Sequence, residues 1–159
     1  GRPAGRPQAR QMAAPAHQLM AKIVCIWGPP CAGKSTAARA DLVPGDVLVE
    51  RDTIHAALTG FENHNHTDAG MSLVNAAIPA MLESARAITG RFVFVTGGSG
   101  IKQRQPFIDA GAEMRLVYAD RATCHARAAE ERPPAWASYI DRWFANYETD
   151  QGLGPGTLV

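Results

Sequence analysis

Four short runs rich in apolar residues stand out along the chain, at residues 22–27, 47–50, 91–95 and 113–118. The first run, KIVCIW, shows no alternation of apolar and polar positions. A strand buried on both faces has such a continuous apolar sequence, whereas a half-exposed strand alternates. The runs predict the strands of a small parallel sheet.

Segments with helical spacing or helix start and stop signals separate and follow these runs. The predicted helices span residues 34–42, 53–58, 69–89, 102–110, 121–131 and 135–147. Asp52 is placed to cap the helix 53–58, and Gly60 to end it. The alternation of strands and helices predicts a three-layer α/β fold, with about four parallel strands, right-handed crossovers and helices on both faces.

The segment 69–89 carries apolar residues at helical spacing. We expect its buried face to consist of Leu73, Ala77, Met81, Leu82, Ala85 and Ile88. Pro79 lies inside the segment and is expected to kink or split the helix, because proline has no N–H to donate and clashes with the preceding turn.

The composition is typical of one folded domain. The 159 residues are 46% apolar and 19% charged, which suffices for a core. No apolar run approaches the roughly 20 residues of a membrane-spanning helix, so no membrane association is expected. Three cysteines at no metal-like spacing, and no apolar leader in the first 20 residues, favour a reducing cytoplasm; we expect Cys25 in the core.

The net charge of +1 is unevenly distributed. Residues 1–20 contain three arginines and no acid, so the remainder has 13 basic and 15 acidic side chains. We interpret residues 1–20 as a flexible basic arm, with contact to nucleic acid as the alternative. Residues 21–150 form the predicted domain and residues 151–159 a loose tail. Bulk charge gives no argument for nucleic-acid binding.

The segment Gly28–Ser35 matches G-x-x-x-x-G-K-[ST] without a mismatch, between a predicted strand and a predicted helix. Its glycines allow successive N–H groups to point at phosphate oxygens, Lys34 provides a cation for the β- and γ-phosphates, and the Ser35 hydroxyl suits Mg²⁺. The expected nucleotide-binding residues are Gly28, Pro29, Pro30, Cys31, Ala32, Gly33, Lys34, Ser35 and Thr36. A nucleoside triphosphate is the expected ligand.

Glu50, Arg51 and Asp52 lie at the carboxyl end of the second strand, at the sheet edge that faces the phosphate loop. Asp52 can act as a general base toward an attacking hydroxyl. His55 comes three residues later, on the same helix face, and can contact an acceptor. A plain helix cap for Asp52 and a solvated side chain for Arg51 remain the alternatives.

A phosphate loop followed about 20 residues later by VLVERDTIH resembles the P-loop kinases of the polynucleotide kinase type, including small phage-encoded members. The resemblance covers residues 22–148 and implies a P-loop NTPase fold, ATP and Mg²⁺, with Asp52 as base and His55 at the substrate position. The family usually has Arg at that last position. The resemblance also implies a lid at about residues 121–134, with Arg127 and Arg132 on the γ-phosphate. Their five-residue spacing is not ideal for one helix face, so one of the two can be solvated. The alternative for the pair is a surface helix with salt bridges to Glu130 and Glu131.

The third strand ends at Thr96 and carries no acid where motor ATPases have one. This favours a kinase, in which Asp52 or Glu50 assists Mg²⁺ through water. Thr96, the glycine turn 97–100 and Arg104 are candidates for the acceptor site, and a tight strand-to-helix connection is the alternative for the glycines.

Two further features leave alternatives open. His64 and His66 lie in a polar loop and suit a plain loop, an acceptor-binding loop or, least well, a metal site, because two histidines alone make a poor ligand set. The aromatic residues of the last helix suit core or lid packing better than base stacking: Trp136, Trp143, Phe144 and Tyr147. Tyr139 and Arg142 are candidates to face a nucleotide base.

Together these features predict a kinase that transfers the γ-phosphate of ATP to a hydroxyl. The favoured acceptor is a polynucleotide 5′-hydroxyl or a hydroxyl on a modified DNA base. The alternatives are a kinase for a nucleoside, sugar or antibiotic, a toxin-type kinase acting on a cell-wall sugar, and a nucleotide-binding module without turnover.

Overall fold

The computed structural model describes residues 22–154 and residue 156. The predicted arm at residues 1–20 lies outside this range, as does part of the predicted tail. Within the described residues no helix combines the length and the apolarity that crossing a lipid bilayer requires.

One parallel sheet forms the centre of the described part of the chain. Its strands are β1 (Ile23–Trp27), β2 (Val47–Glu50), β3 (Phe92–Thr96) and β4 (Glu113–Leu116), in the spatial order β2-β3-β1-β4. Trp27 lies opposite both Thr96 and Leu116. The carboxyl ends of the central strands therefore meet at one edge.

The helices fall close to their predicted positions. They are α1 (Lys34–Ala40), α2 (Arg51–Thr59), α3 (Asp68–Ser84), α4 (Ile101–Asp109), α5 (Arg121–Glu131) and α6 (Trp136–Asp150). Gly60 ends α2 in the left-handed conformation, as predicted. A 3₁₀ turn, Ala85–Ala87, follows α3.

The two faces of the sheet are covered by different helices. Alternate side chains of β1 and β3, including the fully buried Cys25 and Phe94, pack with α3 and α4 on one face. The intervening residues, such as Val24 and Val93, pack with Ala38 of α1 on the other. Because every second side chain points to the same face, this arrangement gives the predicted three-layer α/β architecture.

A third apolar cluster joins α5 to α6 and connects both to the sheet. Trp143 and Phe144 are buried in it, and Trp27 at the end of β1 packs against it. Packing is therefore the role of the α6 aromatics Trp143 and Phe144. Trp143 donates a 2.7 Å hydrogen bond to the carbonyl of Gly97, directly after β3.

Helix α3 differs from its prediction in two local details: it is not split at Pro79, and part of its buried stripe is shifted by one residue. Helix α3 continues through Pro79, whose ring lies on the exposed side, and its buried stripe is Gly70, Val74, Ile78 and Leu82. Leu82 and Ala85 are buried as predicted, whereas Leu73, predicted to be buried, is 60% exposed. Val74 and Ile78 take the buried positions instead of Leu73 and Ala77, one residue along the chain, and packing against the sheet selects between the two stripes.

Asp52 does not cap the second helix. Helix α2 already begins at Arg51, and Glu50 occupies the cap position, where its side chain accepts no hydrogen bond from a backbone N–H of the helix. Asp52 therefore lies within the first turn, where a negative charge is favoured by the helix dipole.

An ion-pair cluster joins the starts of neighbouring strands β2 and β3. The Arg91 guanidinium donates to Asp46 Oδ2 from Nη2 at 2.6 Å and from Nε at 3.1 Å, and the Arg91 backbone N–H donates to Oδ1 at 3.0 Å. These hydrogen bonds lower the pKa of Asp46 to about 2. The Asp46 side chain is only 3% exposed, so its charge depends on Arg91 for compensation.

We expect Asp46→Asn to lower the free energy of unfolding by about 2 kcal/mol at pH 7, the usual size for hydrogen bonds to a charged group. Because the pKa of Asp46 is depressed in the folded state, its stabilisation is complete above about pH 4 and is lost as the pH falls toward 2. Urea unfolding of wild type and variant at pH 7 and at pH 2.5 measures both effects. Asp109→Asn, at an exposed site on α4, is the control, and an Asp46→Asn deficit of equal size at both pH values would contradict the prediction.

Candidate active site

The phosphate loop lies at the carboxyl edge of the sheet, between β1 and α1. Gly28 has φ +150°, and a Cβ there would lie 1.9 Å from the carbonyl oxygen of Val117. Gly33 has φ +98° at the N-cap of α1. Both positions thus require glycine, the first for close backbone approach and the second for its left-handed conformation. Cys31 also has a positive φ, of 63°.

The Lys34 ammonium lies folded back over the loop. It donates to the carbonyl oxygens of Pro29 at 2.6 Å and Gly28 at 2.9 Å. Burial lowers the pKa of Lys34 to about 8, although the thiol of Cys31 and the carboxylate of Asp52 act in the opposite direction. A partly desolvated cation of this kind interacts strongly with phosphate oxygens.

A cavity of about 990 Å³ opens between the phosphate loop, the start of α2, the loop 60–67, the end of β3 and the helices α5 and α6. Most of the predicted site residues line it. They are Pro30, Cys31, Ala32, Gly33, Lys34, Ser35, Thr36, Arg51, Asp52, Thr96, Arg127 and Arg132. Gly28 and Pro29 are buried beneath the loop.

The Asp52 carboxylate reaches this cleft in contact with two histidines. Oδ1 lies 2.6 Å from His66 Nε2, and Oδ2 lies 3.1 Å from His64 Nδ1. Burial raises the pKa of Asp52, but hydrogen bonding and charge from His66, and then from His64, outweigh burial and hold that pKa below its ordinary value. Burial, followed by the charge of Arg132, lowers the pKa of His64. At neutral pH the site thus contains an ionised Asp52 and a neutral His64.

Glu50 lines the same cleft but is engaged by the protein. Its Oε2 accepts from Arg39 Nη2 at 2.5 Å and from the Thr53 hydroxyl at 3.3 Å, and its Oε1 accepts from Arg39 Nη1 at 3.3 Å. Asp52 is the carboxylate with the more open position, at 29% side-chain exposure against 8% for Glu50.

His55 does not face the cleft, contrary to the sequence expectation. It is fully buried, and its Nε2 accepts a hydrogen bond from the backbone N–H of Thr67 at 2.9 Å. A Cβ on Gly70 of α3 would lie 2.5 Å from the His55 ring. The His55 side chain is therefore buried between α2 and α3. It holds the loop 60–67 through Thr67 and is not available to an acceptor.

Arg104 is also placed differently from the expectation. Its guanidinium donates to the carbonyl of Gly98 at 2.6 Å and to Asp150 at 2.9 Å, and it lies 4.2 Å from the centroid of the Trp27 ring. With its cation neutralised in the protein interior, Arg104 connects α4 to α6 and does not line the cleft.

Both predicted lid arginines line the cleft. Arg127 Nη1 donates to the carbonyl of Cys31 in the phosphate loop at 3.0 Å. Arg132 lies just beyond the end of α5, in extended backbone, so the helical spacing argument does not apply to it. Arg127 is the solvent-exposed member of the pair, in agreement with the expectation that one of the two is solvated, and it nevertheless borders the cleft.

The loop 60–67 and α6 contribute cleft residues that the sequence reasoning left open or assigned elsewhere. His64, His66, Trp136 and Tyr139 all line the cavity. The segment His64–His66 is recognisable in the sequence, but its partner is not, because Asp52 lies more than ten residues away along the chain. Arg142 does not line the cleft and contacts the outer side of the Tyr139 ring at 5.9 Å.

The residues present suit Mg²⁺ held together with phosphate better than a metal held by protein alone. Among residues 22–154 and 156, no three His, Cys, Asp or Glu side chains are arranged to hold a metal ion. Mg²⁺ is usually bound by one or two side chains plus phosphate oxygens and water. The Ser35 hydroxyl and the Asp52 carboxylate, on one cleft, meet that requirement.

Comparison with known proteins gives a family and a fold. A family model described as an AAA domain matches residues 23–140. No curated protein sequence matches the chain. A chain of the Pnkp1/Rnl/Hen1 RNA repair complex is similar in structure, with a TM-score of 0.63 and 15% identity over 82% of this chain and 45% of that one.

Other solved structures share the fold. A chain of the AvrRxo1-ORF1:-ORF2 complex has a TM-score of 0.59 and 13% identity, over 86% of this chain and 50% of that one. The tunicamycin resistance protein of Deinococcus radiodurans has a TM-score of 0.50 and 19% identity, over 86% of this chain and 90% of that one. The chain thus spans about half the length of the first two. The P-loop NTPase-like fold and the resemblance to P-loop kinases of the polynucleotide kinase type are confirmed.

We expect the affinity for ATP·Mg²⁺ to fall by about tenfold between pH 7 and pH 9. With a pKa of about 8, Lys34 changes from mostly charged to mostly neutral in this range, and phosphate favours the charged form. Isothermal titration calorimetry with ATP·Mg²⁺ measures the effect. Lys34→Arg stays charged throughout and should show a nearly flat profile, whatever its affinity at pH 7. A decrease of the same size in Lys34→Arg would assign the pH dependence to another group.

Proposed function

Because the chain belongs to the AAA-domain family of P-loop proteins, we propose that it is an ATP-dependent kinase that transfers the γ-phosphate to a hydroxyl acceptor. Residues 28–36 hold the triphosphate, with Lys34 on its β- and γ-phosphates. Ser35 directly and Asp52 through water would hold Mg²⁺, which would supply charge neutralisation at the transferred group.

The single observation that carries this proposal is the position of Asp52 relative to the phosphate loop. Its carboxylate lines the same cleft as Lys34, Ser35 and Thr36, and its charge acts on the Lys34 ammonium. Its depressed pKa leaves it ionised at neutral pH. A carboxylate so placed can accept the proton of an attacking hydroxyl, which is the role of a general base.

The lid arginines complete the charge balance in this proposal. Residues 121–134 form the lid within the domain 21–150, and Arg127 and Arg132 stabilise the charge that develops on the transferred group. Arg127 already contacts the phosphate loop through the Cys31 carbonyl. Arg132 lies in the cleft with a buried Nε that has no hydrogen-bond partner among the described residues.

The favoured acceptor is a polynucleotide 5′-hydroxyl or a hydroxyl on a modified DNA base. Arg51 and Thr96 line the cleft near Asp52 and are proposed to bind it. The cations converge on one cleft of a mildly acidic body, which suits the end of a nucleic acid better than the length of a duplex. The similarity to a chain of an RNA repair complex is consistent with this choice. We place the activity in the cytoplasm.

A second candidate is a kinase that acts on a small molecule such as an antibiotic, a nucleoside or a sugar. The match covers 90% of the length of the tunicamycin resistance protein, so almost all of that protein has a counterpart in this chain. A screen with γ-labelled ATP separates the candidates, with 5′-hydroxyl DNA and RNA oligonucleotides, hydroxymethylated DNA, nucleosides and tunicamycin as acceptors. Nucleotide binding without transfer to any of them would favour an accessory module without turnover.

We expect Asp52→Asn to lower kcat for phosphoryl transfer by at least about 100-fold, the usual contribution of a general base. The affinity for ATP·Mg²⁺ should change by less than about threefold, because Lys34 and the loop amides remain. Transfer of label to the acceptor found in the screen gives kcat, and calorimetry gives affinity. Asp109→Asn is the matched control. A kcat for Asp52→Asn within threefold of wild type would rule out the general-base role.

We expect Arg132→Ala to reduce kcat by at least about tenfold with little effect on folding, because the transition state gains more charge on the transferred group than the bound triphosphate has. Arg142→Ala removes a guanidinium from the outer side of α6 and should leave kcat unchanged. The same transfer assay measures both variants. An equal loss of kcat in Arg132→Ala and Arg142→Ala would indicate a general effect of the lost positive charge and not a contact of Arg132 in the cleft.

A further inference from the structure

Both oxygens of the Asp52 carboxylate have an imidazole partner from the loop 60–67. His66 Nε2 lies 2.6 Å from Oδ1, and His64 Nδ1 lies 3.1 Å from Oδ2. Two directional hydrogen bonds to the two oxygens fix the rotation of a carboxylate, which a single bond does not. The remaining lone pairs stay available to an acceptor hydroxyl.

The His66 ring is held on several sides. It stacks on Tyr139 of α6 with an interplanar angle of 20° and a centroid distance of 6.2 Å, and it lies 5.5 Å from Trp136. On another side it meets the buried His55 ring at 5.5 Å. His55 is itself held by Thr67. The imidazole thus cannot turn freely away from Asp52.

His64 is held through its backbone as well as its ring. Its φ of 73° is in the left-handed region, which a residue other than glycine adopts only when its surroundings impose it. Its carbonyl accepts a 2.9 Å hydrogen bond from Trp136 Nε1, and its ring meets the Trp136 ring edge-on at 5.2 Å. Trp136, the first residue of α6, therefore connects the lid region to this loop.

We propose that His64 and His66 are positioning residues that orient the Asp52 carboxylate toward the acceptor, and that Trp136 makes this orientation depend on the placement of α6. The inference rests on the proposed function of Asp52. In this arrangement His64 donates from Nδ1 and His66 donates from Nε2. The other charged side chains that line this cleft are Lys34 and Arg39 from α1, Glu50 from β2, Arg51 from α2, Arg127 and Glu131 from α5, and Arg132 after α5.

A matched set of variants separates orientation from packing. His66→Gln retains a donor near the Nε2 position, and His64→Asn retains one near Nδ1 and also tolerates a positive φ. His66→Leu and His64→Leu remove the donors. We expect each Leu variant to lower kcat about tenfold with an unchanged KM for ATP, and the amide variants to remain within threefold of wild type. The assays are ATP·Mg²⁺ hydrolysis with water as acceptor and transfer to 5′-hydroxyl single-stranded DNA.

The kinetic control is Asp109→Asn, at an exposed site on α4 outside the cleft, which should leave kcat unchanged. A second histidine–aspartate pair lies outside the cleft, between α5 and α6, with His125 Nε2 2.8 Å from Asp141 Oδ1, and it is the spectroscopic reference. Trp136→Phe keeps an aromatic ring but removes the donor to the His64 carbonyl, and we expect it to lower kcat by severalfold without changing the midpoint of thermal unfolding by more than a few degrees.

A double-mutant comparison tests whether the histidines act through Asp52. In the Asp52→Asn background, His66→Leu should have no further effect on kcat, because no carboxylate remains to be oriented. A full additional tenfold loss in that background would overturn the inference and leave the role of Asp52 intact. A wild-type rate for Asp52→Asn itself would instead overturn the proposed function.

A spectroscopic signature tests the inference without any acceptor. Long-range ¹H–¹⁵N NMR distinguishes imidazole tautomers, and at pH 8 we expect His66 protonated on Nε2 and His64 on Nδ1. Asp52→Asn should shift both protonated nitrogens, while the His125 signals remain in place. An unprotonated His66 Nε2 in the wild type, or histidine signals that do not change in Asp52→Asn, would overturn the positioning role. This outcome does not depend on knowing the acceptor.

Discussion

The close approach of the phosphate loop to the neighbouring backbone is the constraint on which the site depends. Gly28 follows β1 with no room for a side chain against the Val117 carbonyl. Because β1 and β3 are paired in register up to Trp27 and Thr96, the loop lies directly beside the end of β3. The backbone N–H of Gly28 donates to the carbonyl of Gly97 at 3.2 Å, which joins the two loops. This contact fixes where the phosphate loop begins, and thereby positions the start of α1 and the Lys34 ammonium.

Desolvation and charge compensation explain which ionisable groups face the cleft and which do not. Arg104 and Arg91 are neutralised by partners away from the cleft, and Glu50, which borders the cleft, is neutralised by Arg39. Lys34 is half-buried, and among the described residues its ammonium has only carbonyl oxygens as hydrogen-bond partners. A partly buried cation with neutral partners is costly, and this cost favours an anionic ligand at the loop. The local density of positive charge in the cleft therefore matters more than the net charge of the chain.

The loop 60–67 links elements that are remote in sequence. His55 supports it from α2, Trp136 holds it from α6, and its two histidines contact Asp52. The orientation of the Asp52 carboxylate thus depends on α2, on α6 and on the loop between α2 and α3. It is determined by how these elements pack together at the edge of the sheet where the strands end. Arg127 makes a comparable link from α5 to the phosphate loop through Cys31.

Short-range patterns were sufficient for the strands, the order of the elements and the phosphate loop. Strand burial, helix-ending glycines and the G-x-x-x-x-G-K-S spacing are local properties, and the boundaries of α5 agree with the prediction to the residue. Tertiary packing decided the rest. It chose Val74 over Leu73 for the core, turned His55 into the α2–α3 contact and brought Arg132 to the cleft beyond the end of its helix. The partnership of Asp52 with His64 and His66 has no local signal, because hydrogen bonds between distant segments form only when the fold brings them together.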